Sequence, residues 1–89
     1  MANRRNLKKA VRNISEDLMV ECLAVRQDNP NIAQADIENI AKSILMMENE
    51  FVSRLSHVDK RQVKKFFQLF RDDINISTNE IVDTIFQLA

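Results

Sequence analysis

Between residues 31 and 55 the apolar side chains Ile37, Ala41, Ile44, Phe51 and Leu55, followed by Val58, recur at alternating spacings of four and three. That rhythm is the inward stripe of a long amphipathic helix, and a chain carrying it is committed to helix packing. One position interrupts the stripe. Glu48 falls where the repeat asks for an apolar residue, so it is a candidate buried polar group, paired or hydrated at the edge of the seam. The rest of the chain supports the helical reading, because it has no glycine and one proline, the residues that most often supply tight turns and positive backbone angles.

A first helix is expected over residues 6–27, with Leu7, Val11, Ile14, Leu18, Cys22 and Val25 on one side. Ser15 followed by Glu16 and Asp17 would also suit a fresh helix start, so a break near Asn13 is the alternative to one continuous helix. Asp28, Asn29 and Pro30 end this segment. Asn31 is then the expected N-cap of a second helix over 32–55, with Gln34 reaching back to it. The two long helices should form an antiparallel hairpin. A third helix is expected over 59–72, capped by Ser56 or Asp59 and carrying Val63, Phe66, Phe67 and Phe70 inward. Ser77-Thr78-Asn79-Glu80 matches the S-x-x-E capping box and predicts a fourth helix over 78–88. The fold class that follows is all-α: one four-helix bundle-like domain, with two short helices covering a long hairpin.

Charge is balanced overall, at 13 basic and 13 acidic side chains, but it is blocked along the chain. Residues 1–12 carry +5, 13–59 carry −6, 60–71 carry +5 and 72–89 carry −4. Neighbouring helices of opposite sign can attract, so the expected use of this pattern is internal.

Few enzyme sites can be built from this composition. A chain without glycine and with one His and one Cys lacks the material for phosphate loops, nucleophile elbows and most metal sites. No Glu-x-x-His spacing of the di-metal bundles occurs. No catalytic residue, metal ligand, cofactor or small-molecule substrate is therefore expected, and an enzyme with a site near Glu48 ranks third, behind the two surface readings that follow. Cys22 cannot form an intramolecular disulfide, His57 falls at a helix boundary, the basic start lacks an apolar signal region, and no run is long enough to span a membrane. The expected setting is the cytoplasm.

Two surfaces remain as functional candidates. Met19, Val20 and Leu23 point away from the main stripe of the first helix, while Met46 lies opposite that of the second and Met47 flanks it. Together they form a candidate interface, covered either by a second copy, with a homodimer as the expected assembly, or by the chain's own short helices. The alternative is nucleic-acid contact through the basic N-terminal helix, by Arg4, Arg5, Lys8, Lys9 and Arg12. The Phe66, Phe67 and Phe70 cluster beside Lys60, Arg61, Lys64, Lys65 and Arg71 superficially suggests base stacking, but those rings sit at core spacing. A helix-turn-helix is not expected, because the helix that would read the groove is acidic and apolar.

The opening, MANRRNLKKAVRNISEDLMVECLAV, resembles the start of a group of small, uncharacterised bacterial helical proteins that begin with R-x-N-L-K-K and continue into a helix bearing an E-C pair, here Glu21-Cys22. The likeness covers about the first quarter of the chain. It implies a bacterial cytoplasmic protein and brings no activity, cofactor or partner with it.

Overall fold

The structure, a computed structural model, describes residues 4–58 and 60–88. It contains three helices, α1 (Arg4–Asp28), α2 (Gln34–Leu55) and α3 (Val63–Leu88), and no strand among the described residues. They run up, down and up in a rod about 50 Å long and 19 Å across. Residues 7–14 of α1 lie beside 67–74 of α3, so those two helices are parallel, while α2 runs against both.

Four helices were expected and three are present. The expected end at residue 72 and restart at Ser77 do not occur, because α3 passes through both. The reason lies in the apolar stripe. Phe67, Phe70, Ile74, Ile81, Ile85 and Leu88 keep one unbroken rhythm of threes and fours, with Ser77 and Thr78 filling the intervening turn. A capping box contributes about 1 kcal/mol, whereas breaking the helix would take Ile81, Ile85 and Leu88 off the face they share with Phe70 and Ile74. The burial of that face prevails. Asp59, one of the expected caps of the third helix, lies outside the described residues. The first turn of α3 instead closes on Gln62, whose carbonyl accepts from the Phe66 N–H at 2.9 Å.

The start of α2 is also displaced. Ala33 is its N-cap residue, in extended backbone at φ −62 and ψ 136, and no side chain caps it. Asn31 instead belongs to a turn in which the Ile32 N–H donates to the Asn29 carbonyl at 3.2 Å. Gln34 bonds forward to Glu38 at 3.3 Å, not back to Asn31.

The core is built from Val11, Leu18 and Cys22 of α1, Ile37, Ile40, Ile44, Met47, Phe51 and Leu55 of α2, and Phe70, Ile74 and Ile85 of α3. On α2 this stripe passes through Ile40 and Met47, where Ala41 and Glu48 were expected. Residues 47 and 48 straddle the inward direction of the helix, and a small rotation decides which is buried. An isolated carboxylate there would cost several kcal/mol, so the thioether goes in.

Candidate functional site

Because α3 fills one side of the α1–α2 hairpin, the other side is an open groove. Its walls are Ser15, Glu16, Met19 and Val20 of α1 and Ile44, Leu45 and Glu48 of α2. Val20 is 64% exposed, Leu23 58% and Leu45 51%, while Met19 is half-buried against the core. Ser15 forms the floor; its hydroxyl is satisfied by the Val11 carbonyl at 3.2 Å.

Of the expected interface residues, Met19, Val20 and Leu23 lie on this side of the hairpin, and the other two do not. Met47 is a core residue, 5% exposed. Met46 is 64% exposed but borders the groove between α2 and α3, beside Ser77, Glu80, Ile81 and Thr84. One rotation of α2 explains both corrections: with Met47 inward, Leu45 turns toward Val20 and Met46 turns toward α3. Leu45 was missed in the sequence for the same reason. A wheel centred on Ile40, Ile44, Met47 and Phe51 would have placed it there.

Glu48 is half-buried at the rim of the groove, which Glu16 also lines, and among the described residues no cluster of His, Cys, Asp or Glu is arranged to hold a metal. His57 is exposed just after α2, where its backbone N–H donates to the Arg54 carbonyl at 3.1 Å. Arg54 ties α2 to α3. Its guanidinium donates to Asp73 at 2.8 Å and to Glu50 at 3.0 Å, and lies 4.8 Å from the Phe51 ring centroid. The hydrogen bond to Asp73 holds the Arg54 pKa above its ordinary value, opposed by burial and aided by Glu50. All three side chains are at least a third exposed, so each pair contributes only about 0.2–1 kcal/mol.

Cys22 is 2% exposed, and burial pushes its thiol pKa up. Both effects withhold the reactive thiolate. In the native protein Cys22 should react with Ellman's reagent at least about 100-fold more slowly than in denaturant, since labelling waits on an opening of the fold. Native-state labelling at the unfolded rate would show that α1 is not packed as described.

The basic residues are gathered in a way the linear pattern conceals. Parallel α1 and α3 bring both basic segments to one end of the rod, and continuous α3 carries its acidic half to the other. Residues 4–14, 50–58 and 60–74 hold eleven basic and three acidic side chains, a net +8. Residues 15–49 and 75–88 hold two basic and nine acidic, a net −7. The expected pairing of adjacent blocks is thus replaced by a separation of charge along the long axis. Arg4, Arg5, Lys9 and Arg12 are exposed at the basic end and Lys8 is half-buried; Lys60, Arg61, Lys64, Lys65 and Arg71 join them, all exposed.

The three phenylalanines between those lysines are committed elsewhere. Phe70 meets Phe51 edge-on at 5.4 Å, and Phe66 packs on Phe70 at 5.9 Å and on Phe67 at 5.2 Å. No described helix is long and apolar enough to cross a membrane. Compared with protein-family models, curated proteins and solved structures, the chain matches none.

Proposed function

We propose that the protein is a non-enzymatic helical interaction domain whose open hairpin groove takes a second copy of the same chain. The observation that carries this reading is the row of Val20, Leu23 and Leu45, each more than half exposed, beside half-buried Met19 on the side of the hairpin that α3 leaves uncovered. Surplus apolar surface of this kind marks association sites.

Charge placement favours a second copy as the occupant. Met19 and Leu45 face each other across the groove. Arg12 stands two turns along α1 from Met19, and Glu38 two turns along α2 from Leu45, about 10 Å to opposite sides. A two-fold axis at the level of Met19 and Leu45 therefore exchanges their levels. It lays Arg12 of one protomer near Glu38 of the other, and by the same step Glu16 near Lys42. Such self-complementarity is what an isologous interface requires.

Sedimentation equilibrium at micromolar concentration tests the reading. The expected mass is twice the 10.4 kDa of the chain. Arg12→Glu and Glu38→Lys should each weaken the dimer about 5-fold or more, with the double exchange restoring it, as pairs that couple directly do. A particle that remains monomeric throughout the concentration range would overturn it.

A further inference from the structure

The charge separation points to a second partner of the single chain; the two-fold pairing would set the acidic half of one protomer beside the basic end of the other, so the two partners compete. We propose that the basic end of the rod docks on the phosphate backbone of double-stranded nucleic acid, without regard to base sequence.

The net +8 sits within about half of a 50 Å rod that is 19 Å across. At a Debye length of about 8 Å, a polyanion at that end meets the basic charges, while the −7 of the far half is screened. The cluster also works against the fold. Neither α1 nor α3 has an acidic residue in its first turn, and both first turns are basic, through Arg4 and Arg5 in one and Lys64 and Lys65 in the other. Both helices therefore place like charge on the positive end of their own dipole. A bound polyanion relieves both penalties at once.

The shape selects among polyanions. Arg71 borders the α1–α3 side of the rod and Lys64 lies two turns before it on the same flank, whereas Lys8 and Arg12 lie on the flank of α1 nearer α2. Positive groups thus surround the end instead of lining one face. An end 19 Å across exceeds the major groove, about 12 Å wide, and so can reach phosphates on both of its sides. Single-strand binding would call for exposed aromatic platforms, and lipid binding for an apolar wedge to insert. The phenylalanines of this end are packed into or against the core cluster, and the exposed apolar side chains there, Val63 and Leu69, stand about 120° apart around α3 and form no wedge.

Fluorescence anisotropy of the full chain with labelled duplex DNA and duplex RNA provides the test. With roughly five phosphate contacts, affinity for either duplex should fall several-hundred-fold between 50 and 200 mM salt. Lys9→Glu and Lys64→Glu should each weaken binding about 10-fold, whereas Arg26→Glu, with the same change in net charge at the acidic end, should alter it less than about 3-fold. Lys64→Glu should at the same time raise the thermal midpoint, because it places an acid in the first turn of α3. That result would separate lost binding from lost folding. The proposal is overturned by absence of duplex binding at 50 mM salt, by equal losses in all three variants, by preference for single strands, or by binding to phosphatidylserine vesicles without binding to duplex.

Discussion

Phe51→Ala is expected to remove most of the stability of the protein. Phe51 is 1% exposed, its ring and that of Phe70 form a T-shaped pair at 5.4 Å, and the Arg54 guanidinium covers it at 4.8 Å. Truncation of a buried phenylalanine costs about 3–5 kcal/mol, out of a total that for a domain of this size lies near the lower part of ~5–15 kcal/mol. The thermal midpoint should drop by about 15–30 °C, read by circular dichroism at 222 nm. Phe86 supplies the contrast, being 69% exposed on α3. Phe86→Ala should stay within about 0.5 kcal/mol of the parent. Similar losses at the two positions would mean that the core is not where Phe51, Ile44 and Leu55 place it.

Thr78→Pro is expected to have the second largest effect, and it decides between two helix assignments. If Ser77 capped a separate helix, residue 78 would be its first turn position, where proline is well accepted. Inside a continuous α3 the same residue removes a hydrogen bond and clashes with the preceding turn, at a cost of about 3 kcal/mol or more. A fall of at least about 12 °C in the thermal midpoint is the expected outcome. Thr78→Val sharpens the comparison. The Thr78 hydroxyl is buried with no hydrogen-bond partner among the described residues, so an isosteric apolar replacement should be neutral or stabilise by up to about 1 kcal/mol. A tolerated proline would contradict the continuous helix.

The particular errors show what was legible in the sequence. The all-helical class and the break at Asp28-Asn29-Pro30 could be read from local chemistry. The internal boundary of α3 could not, because Ser77-Thr78-Asn79-Glu80 is a sound local start signal and the opposing signal, the unbroken Phe67 to Leu88 stripe, acts only once α3 packs against α1 and α2. The rotation of α2 was a similar contest. Ala41 and Glu48 against Ile40 and Met47 is a difference of one residue, and the cost of burying a carboxylate settles it.

Those two decisions govern the surfaces. Rotating α2 exchanges Met46 and Met47 for Leu45 beside the open groove, and so alters which residues the interface reading rests on. Joining the last two predicted helices has the larger consequence. Had residues 78–88 folded back on 60–72, the −2 of Glu80 and Asp83 would have offset part of the positive charge beside it, in the direction the alternating blocks suggested. Continuous α3 carries those two carboxylates to the far end and leaves the basic end at a net +8. The charge separation is therefore a product of tertiary packing.

The continuity of α3 can be measured as a distance. Spin labels on Lys64→Cys and Gln87→Cys, in a chain carrying Cys22→Ala, report it by double electron–electron resonance. A single helix from Val63 to Leu88 puts the two backbone sites about 35 Å apart at ~1.5 Å per residue, and a narrow distribution near that value is the predicted result. A helix folded back at Asn75 would bring them within about 15 Å, given helix axes packed about 8–10 Å apart, and that shorter distance would contradict the account.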